Sequence, residues 1–351
     1  MTSSFAARVI GWQRRHGRHD LPWQNTRDAY RIWVSEIMLQ QTQVSAVIGY
    51  YLRFMERFPD VAALAGATAD EVMRHWSGLG YYSRARNLHA AARLIMERHA
   101  GRLPDTQEAL EDLPGIGRST AAAIRAFAFG ARAAILDGNV KRVFARHAGV
   151  AGYPGEQKIE KQMWAMAEQR LPEQDLEPYI QGLMDLGATL CTRTRPRCND
   201  CPVHADCVAS REGRTAELPT RKPKRALPQR QTIMLVLLRD GSVLLEKRPP
   251  TGIWGGLWSL PQIDDDAAAR RLAQALGADW KSREALGVIE HGFTHYHLSI
   301  QPLLLTKVAP TTVAQEPGRE WLPLAEAQGA GLPAPVKKLL VSLAAGTPLF
   351  G

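Results

Sequence analysis

Apolar side chains recur with a helical period of about 3.6 residues from residue 3 to about residue 210. Phe5, Val9 and Ile10 form one such apolar face, and the same period returns at residues 72–76. Short polar stretches and Gly or Pro residues separate the periodic segments. The pattern predicts that the first part of the chain is entirely helical.

The pattern changes at Gln231. Residues 232–238 and 243–247 are mainly apolar and lie on either side of Asp240 and Gly241, a dipeptide typical of two-residue hairpin turns. We therefore predict two antiparallel strands here and a second domain that contains both helices and strands.

A basic segment joins the two parts. Residues 211–230 include seven Lys or Arg residues and three prolines, Pro219, Pro223 and Pro228. Prolines disfavour regular structure, which predicts an extended basic linker; a solvated charged loop without any partner fits equally well. The predicted bounds are 1–215 for the helical domain, 216–230 for the linker and 231–351 for the second domain.

The charge balance predicts an anionic partner. The chain has 351 residues, enough for two domains, with 44 Lys and Arg against 35 Asp and Glu. Nucleic acid and an acidic membrane surface both fit this charge. The longest apolar run, residues 233–238, is far shorter than the roughly 20 residues that span a bilayer, and the start lacks the apolar core of a signal peptide. We expect a cytoplasmic monomer, associated with the nucleoid through DNA and not with a membrane.

All four cysteines lie in one short segment, spaced C-x6-C-x2-C-x5-C: Cys191, Cys198, Cys201 and Cys207. Four thiols so close together in a reducing compartment indicate metal ligation rather than disulfides. The compact spacing favours an iron–sulfur cluster, although it leaves zinc open. The pattern closely resembles the loop of the endonuclease III and MutY glycosylases. This resemblance implies one [4Fe–4S] cluster in a loop at 191–207, with the neighbouring arginines facing DNA phosphates.

A second motif lies at residues 113–121, where Gly115 and Gly117 precede a predicted helix over residues 119–129. Two glycines allow a tight turn, and a helix start attracts anions, although an ordinary helix-turn-helix would look similar. The segment resembles the hairpin of the helix-hairpin-helix glycosylases, which would span about 107–130. The resemblance implies that Gly115, Gly117 and Ser119 contact a DNA phosphate without reading the base sequence.

Two carboxylates are the candidate catalytic groups. By residue type alone, Glu36 among apolar neighbours suggests an ion pair, and Asp137 before Gly138 suggests a turn or helix cap. Residues 35–43 and 135–142 resemble the catalytic motifs of the MutY family. The resemblance implies that Glu36 is a general acid for adenine N7, with a pKa raised by desolvation, and that Asp137 stabilises positive charge on the sugar.

Three further residues owe their predicted roles to the same family. Gln41 and Thr42 would wedge into the base stack, and Tyr81 would intercalate beside the oxidised guanine. Tyrosines are frequently core residues, and for Tyr82 a core position is equally consistent. Relatives that also cut the DNA backbone carry a Schiff-base lysine where this chain has Ser119, so we expect a monofunctional glycosylase that leaves an abasic site.

Residues 231–351 resemble the Nudix-like C-terminal domain of the MutY family. Phe293, Thr294 and His295 correspond to its lesion-recognition segment; Thr294 stands where the family usually has serine, and it keeps the hydroxyl but adds a methyl group. We read His295 as a strand residue, for which a structural role is equally consistent. The predicted helix at 267–276 contains no glutamate to hold Mg²⁺, so we expect no nucleotide hydrolysis.

These observations predict a multidomain protein of the α plus α/β class. An all-helical helix-hairpin-helix glycosylase domain with an iron–sulfur loop would precede a Nudix-like α+β domain. The resemblance implies a DNA repair enzyme that hydrolyses the N-glycosidic bond of adenine opposite 8-oxoguanine or guanine in double-stranded DNA. A pyrimidine- or thymine-directed glycosylase is the alternative enzyme, and the C-terminal domain counts against it. A non-catalytic DNA-binding protein is the other alternative, and the presence of both Glu36 and Asp137 counts against that.

Overall fold

The structure is a computed structural model that describes residues 4–222 and 226–346. Three residues of the predicted linker, 223–225, lie outside the described residues. The chain forms two compact units: the first consists of Met1–Ala65 and Ala90–Lys224, and the second consists of Gly66–His89 and Arg225–Gly351. Within the described residues, no helix combines the length and the apolar character needed to cross a membrane.

Helices make up nearly all the regular structure before residue 212, as the periodicity predicted. They are α1 (Phe5–His16), α2 (Ala29–Leu39), α3 (Val44–Arg57), α4 (Val61–Gly66), α5 (Ala69–Trp76), α6 (Ser83–Arg98), α7 (Gln107–Glu111), α8 (Arg118–Phe129), α9 (Gly138–His147), α10 (Gln157–Gln169), α11 (Leu176–Asp185) and α12 (Val208–Arg211). A π-helical turn over Leu186–Leu190 extends α11, and two 3₁₀ turns lie in the cysteine segment.

Side chains of α1, α8, α9, α10 and α11 form one core cluster of the first unit, and α2 and α3 bury further apolar side chains such as Trp33 and Phe54. The buried face of α8 is rich in alanine, including Ala122, Ala123 and Ala126. Small side chains let neighbouring helices approach closely, and larger residues such as Phe144 and Leu183 fill the space between them. This core fixes the ends of α8 and α9, which carry two of the predicted site residues.

The second unit contains a mixed sheet of eight strands. They are β1 (Gln229–Arg239), β2 (Ser242–Lys247), β3 (Trp258–Ser259), β4 (Gln262–Ile263), β5 (Glu284–Ala285), β6 (Ile289–Gly292), β7 (His297–Leu305) and β8 (Arg319–Pro323). β1 lies parallel to β7 and antiparallel to β2 and β4, while β8 pairs with β2 and β6 with β7. The unit also contains α5, the start of α6, and the helices α13 (Asp266–Ala275), α14 (Leu324–Ala327) and α15 (Ala334–Ala344).

The predicted hairpin between β1 and β2 is confirmed. Leu238 pairs with Val243, and the intervening Asp240 and Gly241 have φ angles of 49° and 76°. Left-handed backbone at both central positions matches the right-handed strand twist. The turn was predictable because its chemistry is entirely local.

The start of the predicted linker differs from both sequence-based expectations. Leu218 is buried, and its carbonyl accepts a hydrogen bond from Arg146 Nε at 2.8 Å. The backbone N–H of Gly152 donates to Thr220 Oγ1 at 3.1 Å. These residues therefore pack on the first unit instead of forming an extended or solvated stretch. The predicted domain bounds stay a prediction.

Candidate active site

A cavity of about 540 Å³ in the first unit brings together five of the predicted site residues. Its walls come from the segment between α1 and α2, from α2 itself, and from the starts of α8 and α9. The predicted site residues in its lining are Glu36, Gln41, Thr42, Ser119 and Asp137. Residues separated by about a hundred positions in sequence thus line a single space.

Glu36 lies on α2, whose N-terminus is capped by Asp28 through bonds to the N–H groups of Tyr30 and Arg31. The neighbouring side chains of Ile37 and Met38 are fully buried, whereas the Glu36 side chain is partly buried and lines the cavity. Burial, with a further contribution from the nearby Asp137, raises the pKa of Glu36 to about 7. The expected direction of this pKa shift is therefore present.

Asp137 is the N-cap of α9, so the simpler of its two sequence interpretations holds structurally. Its Oδ1 accepts from Val140 N at 2.8 Å, and its Oδ2 accepts from Asn139 Nδ2 at 3.1 Å. Burial raises the pKa of Asp137, while these hydrogen bonds oppose the rise. The cap also fixes the carboxylate in the same cavity as Glu36.

Asn139 and Arg142 support Asp137, and sequence reasoning missed both. Arg142 Nη2 donates to Asn139 Oδ1 at 2.8 Å, so the amide nitrogen of Asn139 is left to face Asp137. Arg142 Nε also donates to the carbonyl of Cys191 at 2.7 Å. The Asn139 signal was available two residues after the aspartate, but no local pattern could reveal a partner 49 positions away.

The glycine turn before α8 has the geometry that its sequence predicted. Gly115 has a φ of 84°, and Gly117 is the N-cap of α8 without a side chain. A Cβ at Gly117 would meet no atom within 4 Å. Ser119, one residue into the helix, accepts a hydrogen bond from Leu136 N through its Oγ at 3.1 Å and lines the cavity.

Gln41 and Thr42 lie in the turn that joins α2 to α3. Gln41 is exposed and has a φ of 57°. The preceding Gln40, which sequence reasoning did not select, donates to Gly115 O and to Thr120 Oγ1, each at 3.3 Å. This side chain links the turn after α2 to the glycine turn before α8.

The four cysteines are free, and each is partly buried. Burial raises the pKa of the Cys201 thiol to about 12, and Cys191, Cys198 and Cys207 each contribute to the rise. Such an influence requires the four sulfurs to lie near one another. Arg146 is buried, and its guanidinium donates to Cys191 Sγ at 3.4 Å and to Thr192 O at 2.7 Å. These bonds fix the start of the cysteine segment.

Both parts of the chain match known protein families. Residues 34–169 match the HhH-GPD superfamily of base excision DNA repair proteins, and residues 232–342 match the NUDIX domain. The adenine DNA glycosylase of Buchnera aphidicola from Acyrthosiphon pisum is 35% identical, with 96% of each chain covered. The human adenine DNA glycosylase is 32% identical over 96% of this chain and 73% of its own length.

The chain belongs to the adenine DNA glycosylase family. It is therefore a DNA glycosylase of base excision repair, and adenine is the base that this family removes. The predicted fold class is confirmed by the two family matches together with the helical and mixed-sheet units. A solved thermostable thymine-DNA glycosylase is also similar, with a TM-score of 0.55 and 30% identity over 59% of this chain and 95% of that one.

The three residues predicted to recognise the lesion lie in the turn between β6 and β7. Phe293 N donates to Tyr296 O at 2.8 Å, and Thr294 and His295 are exposed at the tip. The interpretation of His295 as a strand residue was wrong, because the strands end at Gly292 and begin again at His297. Phe293 anchors the turn through ring contacts with Trp254 at 5.5 Å and Tyr296 at 4.7 Å.

Tyr81 lies in a separate turn of the second unit. Its side chain is 44% exposed, whereas that of Tyr82 is partly buried. The Tyr82 hydroxyl donates to Leu332 O at 3.1 Å. Tyr81 is thus accessible and Tyr82 is packed, while the contact of Tyr81 with DNA stays a prediction.

Proposed function

We propose that this glycosylase hydrolyses the N-glycosidic bond of adenine opposite 8-oxoguanine or guanine in double-stranded DNA and leaves an abasic site. The observation that carries the proposal is the pair Glu36 and Asp137 in one cavity, with the pKa of Glu36 raised to about 7. Two carboxyl groups with different environments suit a glycosidic cleavage that needs one acid and one anion.

Glu36 acts as the general acid. A base inside a duplex is out of reach, so the adenine must rotate out of the stack into the cavity. Near pH 7 a substantial fraction of Glu36 carries its proton, because its pKa is about 7. Transfer of that proton to adenine N7 lets the bond between N9 and C1′ break, with the electron pair leaving on the base.

Asp137 acts as the anion beside the sugar. Bond cleavage leaves positive charge on C1′ and the ring oxygen, which a fixed carboxylate stabilises. The hydrogen bonds from Val140 N and Asn139 Nδ2 hold the carboxylate in place and favour its charged form. Water then adds to C1′ and releases a proton, which gives the abasic product.

Ser119 supports a monofunctional reaction. A lyase step requires an amine that forms an imine with C1′. Ser119 lines the cavity but offers only a hydroxyl, which already accepts from Leu136 N. Strand cleavage is therefore expected to be slow and incidental.

The cysteines fit a [4Fe–4S] cluster better than a zinc ion. A zinc site needs its ligands within about 2.3 Å of one point, whereas each iron of a cluster takes its own thiolate. The four sulfurs are near enough to affect one another, which supports a shared cluster. When bound, the cluster would tie Cys191, Cys198, Cys201 and Cys207 into a rigid loop.

The remaining predicted residues form the DNA contacts of the proposal. Gly115, Gly117 and Ser119 would approach a phosphate, Gln41 and Thr42 the base stack, and Tyr81 the base step beside the oxidised guanine. Phe293, Thr294 and His295 would read the oxidised base itself. The exposed tips at Gln41, Tyr81 and Thr294 support these roles. The monomeric state and the cytoplasmic location stay predictions.

The decisive experiment measures single-turnover cleavage, revealed by alkali, of duplexes with adenine opposite each of 8-oxoguanine, guanine, cytosine and thymine. We expect fastest excision opposite 8-oxoguanine and slower excision opposite guanine. A duplex with thymine opposite guanine tests the thymine-directed alternative. Preferential loss of thymine would contradict the proposal, and iron analysis of the same preparation should give four irons per chain.

A further inference from the structure

The turn that carries Tyr81 has an unusual backbone. Gly78, Gly80 and Tyr81 have φ angles of 98°, 76° and 49°. Left-handed backbone is unfavourable for a residue with a side chain and persists only where the surroundings enforce it. Glycines on either side of Leu79 also leave the unfolded turn with many conformations. The position of Tyr81 therefore depends on contacts from outside the turn.

Tyr82 supplies such a contact. Its hydroxyl accepts from Gly78 N at 3.3 Å and donates to Leu332 O at 3.1 Å. Ser77 Oγ donates to the same carbonyl at 3.3 Å, so side chains from both ends of the turn meet at Leu332. Leu332 is fully buried, which makes its carbonyl a fixed attachment point.

The backbone next to that carbonyl also approaches α5 closely. A Cβ at Gly331 would lie 3.3 Å from the Met73 Cβ, tighter than most real contacts of that kind. The Gly331 carbonyl accepts from Trp258 N at 3.0 Å. This segment before α15 is thus held by the sheet on one side and supports the tyrosine turn on the other.

A second attachment leads towards the lesion-recognition turn. Arg86, one helical turn beyond Tyr82, donates through Nη1 to Gly255 O at 2.6 Å. Trp254, which precedes Gly255 in the chain, is buried, and its ring centroid lies 5.5 Å from that of Phe293. Within the second unit, residues 254–255 therefore contact both the segment of residues 78–86 and the β6–β7 turn.

We propose that Tyr82 is a positioning residue that holds the Tyr81 turn through Leu332, so that Tyr81 is set in place before DNA arrives. The proposal rests on the proposed role of Tyr81 beside the base opposite adenine. A turn that is already ordered loses little conformational entropy when DNA binds. Binding is therefore stronger, while the rate of the bond-breaking step is unchanged. Residues near the C-terminus then assist lesion discrimination through Tyr81 as well as through Thr294.

The test is Tyr82→Phe in the full-length protein, which removes the hydroxyl and keeps the ring. Single-turnover excision is measured against protein concentration on duplexes with adenine opposite 8-oxoguanine and opposite guanine. We expect the half-saturating concentration on the 8-oxoguanine duplex to rise about three- to tenfold, the effect of one hydrogen bond. The limiting rate should stay within about twofold of the wild type, because Glu36 and Asp137 are untouched.

Tyr30→Phe is the matched control. The Tyr30 hydroxyl also donates to a backbone carbonyl, that of Phe58 at 2.7 Å, but within the first unit. This variant loses the same type of bond, and its half-saturating concentration should not change. If Tyr82→Phe folds poorly, Ser77→Ala removes the other donor to Leu332 O and should shift the same quantity in the same direction.

A double variant separates positioning from general stability. In a Tyr81→Ala background, Tyr82→Phe should have no further effect on half-saturation or on discrimination between the two duplexes. An equal additional loss in that background would overturn the proposal, as would a fall in limiting rate without a binding change. A wild type without preference for 8-oxoguanine would instead count against the proposed function. If the preference for 8-oxoguanine over guanine depends on Tyr81 but not on Tyr82, the positioning role of Tyr82 is wrong and the proposed function stands.

Discussion

At the scale of single residues, Glu36 gives the most direct test of the chemistry. Replacement by glutamine keeps the shape but leaves an amide, which cannot transfer a proton to N7 with comparable acidity. General acid catalysis contributes roughly a hundredfold to ten-thousandfold, and we expect Glu36→Gln to lose at least about a hundredfold in single-turnover rate. DNA binding, measured by fluorescence anisotropy, should survive. A loss of only a few-fold would remove Glu36 from the role of acid.

The pH dependence of excision follows from the direction of two pKa shifts. The acid must be protonated, so the rate should fall as the pH rises through the Glu36 pKa of about 7. Asp137 must be ionised, and because burial raises its pKa, the rate should also fall on the acid side. Single-turnover rates across pH should therefore give a bell. The residual activity of Glu36→Gln should lack the alkaline limb, and a wild-type rate still rising above pH 8 would contradict the assignment.

The structure also sharpens the test of Asp137. Asparagine caps helices as well as aspartate does, so Asp137→Asn should keep the cap on Val140 N. Asn139 directs its amide nitrogen at this position, and donor would then face donor, which costs about 1 kcal/mol in the free energy of unfolding. Excision should fall by roughly a hundredfold or more, since the charge beside the sugar is lost. Wild-type rates together with normal thermal unfolding would leave Asp137 as a helix cap only.

At the scale of elements, the start of α8 decides between hydrolysis and lyase chemistry. Ser119→Lys removes the acceptor of Leu136 N and introduces an amine into the wall of the cavity. We expect this variant to form a covalent complex with DNA under borohydride, whereas the wild type should not. If the variant folds and excises adenine but is not trapped, the link from Ser119 to monofunctionality fails.

What the sequence could predict at this scale depends on how far apart the partners lie. The helices, the turn at Asp240 and Gly241, and the glycine turn before α8 are encoded within a few residues each, and all three appear as predicted. The link from Tyr82 to Leu332 spans 250 positions, and no local pattern announces it. The same holds for Arg146 and Leu218, which lie 72 positions apart. His295 was assigned to a strand, and the four-residue turn that carries it contains no Gly, Pro, Asn or Asp that would mark it.

At the scale of the whole molecule, the division of labour does not follow the order of the chain. Glu36, Asp137 and the four cysteines belong to the first unit, whereas Tyr81 belongs to the unit formed with the C-terminal sequence. The turn at residues 77–82 is thus bonded to the Leu332 carbonyl, and α5 lies close to Gly331. The second unit therefore combines proposed lesion contacts from both parts of the sequence: Tyr81 from the first, and Phe293, Thr294 and His295 from the second.

This arrangement predicts that removing the C-terminal sequence harms discrimination more than any change at the lesion-recognition turn. Thr294→Val keeps the shape of threonine without its hydroxyl, and it should lower the preference for 8-oxoguanine over guanine by roughly tenfold if one hydrogen bond reads the base. A protein ending after residue 222 loses Thr294 and also the Leu332 carbonyl that supports the Tyr81 turn. Its preference should fall further, towards equal excision of adenine from both duplexes, while excision itself persists through Glu36 and Asp137. The measurement is the ratio of single-turnover rates on the two duplexes, with Glu97→Ala, at an exposed position of α6, as a full-length surface control. If the shortened protein folds and discriminates as well as Thr294→Val does, the support from Leu332 contributes nothing to discrimination. The hydroxyl of Thr294 would then account alone for what the C-terminal sequence adds.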